Sequence, residues 1–212
     1  MSLSLPEEQF PLFRKMVRLT VRVSNTVRDT LGTGVLISTD GLILTSYHVI
    51  RKCPEPKINP CRLRKDWSIA FLKSRPATVV FADRELDIAL LRCRGMTAKI
   101  RPAKISFDYV GTGSGVYRVG MDDTPLDAGH VHAYDYAGPV SRLAVSIIAD
   151  SGASGGPLFD ERLRLIGIVD SIKPQKRYPP ETYGIPMPAI RRRIFSREAV
   201  WPLLPKYLRP ER

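Results

Sequence analysis

Along the first part of the chain, Val17, Leu19, Val21 and Val23 alternate with Arg18, Thr20 and Arg22, the period-two signature of a strand with one buried face. Comparable short runs follow from Thr33 to Ile37, Leu42 to Ser46, Trp67 to Leu72, Thr78 to Ala82 and Ile88 to Arg92, punctuated by turn signals such as Thr39-Asp40-Gly41. About six strands in this half are enough to close a small barrel. A weakly patterned stretch from Gly95 to Pro102 then gives way to a second series: Val116 to Gly120, His130 to Tyr134, Leu143 to Ile148, Gly156 to Phe159, Leu165 to Ser171 and Tyr183 to Ile185. Helical spacing is credible only from about Met187 to Phe195, where Pro188 suits a first turn and Ile190, Ile194 and Phe195 share a face. The pattern predicts an all-β chain of two six-stranded antiparallel barrels and a short C-terminal helix. The expected segments are an extension over 1–14, a first barrel over 15–100, a second over 101–187, and the helix with a basic tail over 188–212.

Composition narrows this picture without changing it. At 212 residues, with 43% apolar and 25% charged residues, the chain has the makings of folded cores, and no apolar run approaches the roughly 18 residues that span a bilayer. The N-terminal residues carry Glu7 and Glu8 and lack the apolar stretch and small-residue cleavage site of a secretory signal, so a cytoplasmic or otherwise intracellular protein is expected. Three cysteines do not make a disulfide framework. Cys93, at the end of an apolar run, reads as a buried thiol, while Cys53 and Cys61 flank a proline-rich loop across which a disulfide or two free thiols are both compatible with the spacing. The formal net charge of +12 raises nucleic acid as a partner. Most of the cations are dispersed singly, however, and the one dense run, Arg191-Arg192-Arg193, lacks interleaved aromatics, so solvated surface charge is the favoured reading.

Three places carry candidate chemistry. The hairpin GTGVLISTDGLILTSYHVI ends in His48, held rigidly at the end of a buried strand. In ELDIALLR, Asp87 stands directly before an apolar strand, with Asp83 and Glu85 as rivals on the same side. In DSGASGGPLFD, nearly every side chain around Ser154 is removed, which marks a tight turn or backbone N–H groups aimed at a ligand. Hydroxyl, imidazole and carboxylate are the parts of acyl transfer, and they occur in the order His, Asp, Ser across two expected barrels with a cleft between them. His130 and His132 share a strand face but supply only two ligands, so neither a metal nor any other cofactor is assigned.

These segments, with YGIPMPAI and with VYRVGMDD followed by AGHVHAY, resemble the trypsin-like serine proteases of the chymotrypsin fold, and most of all the protease domain of the high-temperature-requirement (Deg-like) family, over roughly residues 17 to 195. The resemblance implies a serine endopeptidase acting on polypeptide through an acyl-enzyme, with catalytic His48, Asp87 and Ser154 and an oxyanion hole from the N–H groups of Gly152 and Ser154. It also implies a specificity pocket with Ile148 at its floor, Val169 on its wall and Ile172 near its mouth, selecting small or medium aliphatic residues. Asp150 is the nearby acid that a loop movement would bring inward.

The sequence also departs from the family. Ala153 replaces the acid that in digestive members receives a new N-terminus, Tyr47 precedes His48 where a small residue is usual, and no peptide-binding PDZ domain is expected after the protease part. Asp170, in LIGIVDS, falls where a small hydroxyl residue is common beside the catalytic acid. The expectation is that it turns to solvent or pairs with an arginine, because pointing inward it would mistune the base. A different class of function stays open: a protease-fold binding module, without cleavage, for an anionic partner such as nucleic acid or an acidic protein.

Overall fold

The computed structural model describes residues 10–96, 101–121, 126–136, 140–149, 152–173 and 181–210, with backbone alone at 171–173 and 181. Its first half holds β1 (Thr20–Asn25), β2 (Thr30–Leu36), β3 (Leu42–Ser46), β4 (Lys57–Leu63), β5 (Ile69–Phe71), β6 (Arg75–Pro76), β7 (Thr78–Asp83) and β8 (Ile88–Arg92). These eight strands form one antiparallel sheet in the order β5-β4-β1-β2-β3-β8-β7, with β6 paired to β4. The second half holds β9 (Lys104–Ile105), β10 (Gly115–Val119), β11 (Leu126–Asp135), β12 (Arg142–Val145), β13 (Pro157–Asp160), β14 (Arg164–Lys173) and β15 (Glu181–Pro186). The order β13-β10-β11-β12-β15-β14 closes where β13 pairs with β14, making a six-stranded antiparallel barrel, and β9 adds a parallel edge to β14.

The strands legible in the pattern are present, but the first half differs from the expected six. The segment KINPCRL forms β4, which has no alternation because four successive residues from Ile58 to Cys61 are buried, and which contains Pro60. Proline within a run argues against a strand, and here it is accommodated opposite Val21 while its carbonyl still accepts from the N–H of Leu72. β6 and β9 are two residues each, too short to show a period.

The start of the chain corrects the sequence reading outright. Val17 and Leu19 belong not to a strand but to helix α1 (Phe10–Leu19), which crosses the boundary expected between 14 and 15. Phe13, Met16 and Val17 are buried at i, i+3 and i+4, while Arg14, Lys15 and Arg18 face outward. That helical stripe outweighs a two-residue alternation. The helix lies on β4 and on Trp67 of the turn that follows it, with Phe13 stacked on Trp67 at 5.9 Å and Phe10 edge-on to it at 4.8 Å. The Thr20 hydroxyl donates to the Met16 carbonyl at 2.9 Å, closing the last turn.

At the other end, α3 (Met187–Ile190) continues through a π-helical turn, Arg191–Phe195, over the span that the sequence predicts. Each half has its own interior, with Val21, Val23, Leu36, Ile43 and Leu91 in the first and Val131, Leu143, Leu158 and Val169 in the second. A further cluster joins them, from Phe13 and Leu44 to Phe159, Ile185 and Phe195. Cys53, Cys61 and Cys93 are buried free thiols, so no disulfide spans the proline-rich loop. Burial pushes the Cys61 thiol up to about 12.

Candidate active site

Strand β3 leaves the first sheet through Ser46 and turns at once into a single helical turn, α2 (Tyr47–Ile50). Val49 and Ile50 anchor that turn in the core, which leaves His48 on the outside with its side chain 45% exposed. The facing turn between β7 and β8 carries Asp87 in a left-handed conformation, φ +57°. A non-glycine residue held there costs about 1–2 kcal/mol, and here the conformation aims both ends of the residue at α2. The Tyr47 N–H donates to the Asp87 carbonyl at 3.0 Å and the His48 N–H to Asp87 Oδ1 at 2.8 Å. His48 Nδ1 lies 2.6 Å from Asp87 Oδ2. With the Nδ1 proton committed to that carboxylate, Nε2 is the basic nitrogen. The hydrogen bond to Asp87 raises the His48 pKa above its ordinary value; burial opposes this, the charges of Asp87 and Asp170 add to it, and Arg28 works against it.

The rival acids are employed elsewhere. Asp83 Oδ1 accepts the N–H groups of Glu85 and Leu86, folding the turn back, while Oδ2 meets Arg193 at 3.1 Å and Arg197 at 3.3 Å. Burial alone would raise the Asp83 carboxyl, but the Leu86 N–H and the Arg193 guanidinium hold it below the usual carboxylate range. Glu85 also pairs with Arg193.

Ser154 sits in the glycine turn that precedes β13, and that turn is fastened to the first sheet. The Thr33 N–H donates to the Ser154 carbonyl at 2.9 Å, the Thr33 hydroxyl to the Gly152 carbonyl at 2.7 Å, and the Thr45 hydroxyl to the Thr33 carbonyl at 2.6 Å. The Ser46 hydroxyl donates to the Val169 carbonyl at 3.0 Å, and the same carbonyl accepts the Gly155 N–H at 2.8 Å. Two glycines are required for different reasons. A Cβ on Gly155, at φ +81°, would lie 2.2 Å from Thr45 Oγ1, 2.3 Å from the Thr33 carbonyl oxygen and 2.8 Å from the Ser46 nitrogen. Gly152 has open space around it, and only its φ of +96° excludes a side chain, so obstruction of the turn is a property of Gly155 rather than of Gly152. The residue after Ser154 thus touches the backbone two residues before His48.

Comparison with known proteins now places this arrangement. Residues 32–168 match the family model of the trypsin-like peptidase domain. The chain belongs to that family. It is 31% identical over 149 residues to the uncharacterized protein y4bJ of Sinorhizobium fredii, a match covering 68% of this chain and 22% of that protein. It is 28% identical over 152 residues to a probable periplasmic serine endoprotease, DegP-like, of Ectopseudomonas mendocina, covering 68% and 30%. In structure it is similar to Deg5, with a TM-score of 0.69 at 20% identity over 89% of this chain and 94% of that one, a likeness of fold. The chain spans only 22% and 30% of the length of these two curated relatives. The trypsin-like peptidase domain here is therefore Deg-like, on a chymotrypsin-type β framework.

Of the residues expected to form a specificity pocket, Ile148 and Val169 stand in different surroundings. Ile148 is 52% exposed ahead of the serine turn, whereas Val169 is buried in the second barrel. Ile172 pairs through its backbone with Thr182, and its side chain lies outside the described residues, as does Asp150. His130 Nδ1 is 3.1 Å from the Ser146 hydroxyl.

Asp170 is the residue whose placement the sequence left open. It does not turn to solvent. It is 7% exposed and pairs with Arg142 at 2.7 Å, and His48, Asp87 and Asp170 bring one ligating atom each within 4.8 Å of one another. These three are the one such cluster among the described residues. His48 Nδ1 meets Asp87 Oδ2 at 2.6 Å and the Arg142 guanidinium lies on Asp170 Oδ2, so the charges of the cluster are compensated by its own neighbours. The roles of Arg142 and of the Thr33, Thr45 and Ser46 hydroxyls are not signalled by the motifs, because each partner is distant in the chain: Thr33 and Ser46 reach across the junction of the two halves, while Thr45 meets Thr33 and Arg142 meets Asp170 within one half.

Proposed function

We propose that this domain is a serine endopeptidase working through an acyl-enzyme. The observation that carries the reading is the double contact of Asp87 with the His48 backbone and Nδ1, together with a serine turn fastened to β2, the strand paired with the one that leads into His48. Ser154 Oγ attacks the carbonyl carbon of a peptide bond while His48 Nε2 takes the hydroxyl proton. The new C–O bond displaces the carbonyl π pair onto oxygen, where the N–H groups of Gly152 and Ser154 stabilise it. Collapse expels the amine, which receives the proton from His48, and water repeats the sequence to release the acid and restore Ser154. Asp87 holds the tautomer and stabilises the imidazolium. A fluorophosphonate probe tests nucleophile, base and oxyanion site together: labelling of the native chain and none of Ser154→Ala supports the reading, and equal behaviour of the two overturns it.

The apolar Ile148 ahead of the turn supports cleavage after Val, Ala, Ile or Leu. Where a bound substrate covers Ile148 from solvent, an ammonium enclosed there without a partner would meet a desolvation cost of several kcal/mol. Digestion of a peptide library, read by mass spectrometry, overturns this preference if cuts after Lys or Arg dominate.

A second reading has its own observation. A groove of about 540 Å³ beside α1 is lined by Arg14, Lys15, Arg18 and Arg101 with no acid among its lining residues. It suits the anionic partner of a binding module. Salt-sensitive binding to a nucleic acid or acidic protein, with no labelling by the probe, would favour that reading over the enzyme.

A further inference from the structure

We infer that Asp170, clamped by Arg142, is a second positioning carboxylate of the His48 base, so that the imidazole is set by two acids contributed by the two halves of the molecule. The inference rests on the peptidase reading for its bearing on turnover, but the arrangement itself is on the page. Asp170 lies in β14, directly after Val169, whose carbonyl takes both the Ser46 hydroxyl and the Gly155 N–H. The strand is therefore locked to the start of α2 on one side and to the serine turn on the other. From that position the Asp170 carboxylate is buried and reaches within 4.8 Å of the ligating atoms of both His48 and Asp87.

Two carboxylates at such a separation repel one another. Arg142, on β12 two strands away in the barrel, resolves the conflict by placing Nε 2.7 Å from Asp170 Oδ2. The Arg142 side chain is one-third exposed while its Nε is buried against the carboxylate. Other charges that act on the imidazole are Asp87, from the β7–β8 turn, and Arg28, from the β1–β2 turn, which opposes the two acids. In this circle Asp170 favours the protonated imidazole and Arg142 moderates that effect.

The working consequence is an activity whose acid limb lies at higher pH than one orienting acid alone would give. A base must be neutral to accept the serine proton, so each increment favouring the imidazolium delays the onset of turnover as pH rises. The same increment stabilises the imidazolium formed during attack. A serine or threonine in place of Asp170 would orient Asp87 without this charge.

The test uses the native chain and a Ser154→Ala background, in which His48 titrates without turnover and is followed by NMR of its ring. Asp170→Asn keeps the shape and removes the charge. It should lower the His48 midpoint by roughly half a unit to one unit, since an opposite charge within about 4–6 Å is worth about 1–3 units before solvent screening. Arg142→Gln should raise the midpoint, and should do so less when Asp170 is already Asn. In the otherwise native chain, the acid limb of kcat/KM should move in the same directions. A His48 midpoint unmoved by Asp170→Asn, or an Arg142→Gln effect equally large in both backgrounds, overturns the inference even if peptides are cleaved. Midpoints that move as stated in a protein that cleaves nothing uphold the double-acid arrangement and remove the peptidase reading. Should Asp170→Asn fail to fold, the sign of the Arg142→Gln shift alone decides.

Discussion

The corner that holds His48 and the turn that holds Ser154 are built on opposite principles. His48 and Asp87 both come from the first sheet, and the hydrogen bonds that join Asp87 to His48 and to Tyr47 all lie within that half, with Asp170 reaching in from the other. The serine turn is held in its own half by the Gly155 N–H on the Val169 carbonyl, and it is also fastened outward to Thr33 and packed closely on Thr45 and Ser46 in the other half. A locally completed pair survives small movements between the halves, whereas a nucleophile fastened across the junction reports them. On the proposed peptidase reading, the oriented base is therefore the robust part of this site, and the presentation of the nucleophile is the fragile part.

The bluntest way to break the comparison is to remove either partner. Ser154→Ala and His48→Ala should each lower kcat by about 10⁶, to background, because residues that act as a unit fail together. Circular dichroism should be unchanged, since neither truncation opens a large apolar cavity. Persistent cleavage by the serine variant would move the nucleophile elsewhere.

A smaller loss should separate the two acids of the β7–β8 turn. Asp87→Asn keeps the shape but favours the wrong His48 tautomer, and a loss of about 10⁴ in kcat is expected. Asp83→Asn should leave kcat unchanged and instead lower stability by about 1–3 kcal/mol, because its partners are Arg193, Arg197 and the N–H groups of its own turn. Peptide turnover and urea unfolding on both variants check this, and the opposite pattern would reassign the acid.

Gly155→Ala probes the junction itself. The new methyl would fall on Thr45 Oγ1 and the Thr33 carbonyl, in a backbone conformation that resists a side chain. A cost of about 2–4 kcal/mol is expected, together with loss of probe labelling. The His48 Nδ1 proton resonance should persist in that variant, because the pair in the first sheet does not depend on the turn. Gly152→Ala should cost less, as only φ opposes it.

What could be read from the sequence follows the same division. Strands such as Leu42–Ser46 and Ile88–Arg92 carry apolar runs bounded by turn residues, and they begin and end where the pattern says. The residues His48, Asp87 and Ser154 stand out because their flanking motifs are local. Helix α1 was misread since its short alternation at Val17 and Leu19 sits inside a longer helical stripe that begins at Phe13. Strand β4 was hidden by Pro60 and by burial on both faces. For Asp170 the sequence leaves solvent or an arginine as alternatives; it meets Arg142, and its inward orientation depends on β14 being locked to Ser46, a contact between residues far apart in the chain. Periodicity reports which face of an element is buried, not what stands opposite it.

The smallest expected effect concerns how the His48 corner contributes to stability. The hydrogen bond to Asp87 raises the folded-state His48 pKa above its ordinary value near 6.5. A group with a raised folded pKa binds its proton more tightly when folded, so its contribution is fully present below that ordinary value and is lost as pH rises through the folded one. Stability should therefore decline modestly from about pH 6.5 upward. Because nearly half of the side chain meets solvent, screening keeps the effect small. Thermal unfolding of the native chain and of His48→Gln, measured from acid to mildly alkaline pH, isolates it: the difference between the two melting temperatures should shrink as pH rises. A gap that widens with pH would mean that the imidazole is stabilised in its neutral form, and the self-sufficiency assigned to the first-sheet pair would then have to come from the backbone contacts of Asp87 alone.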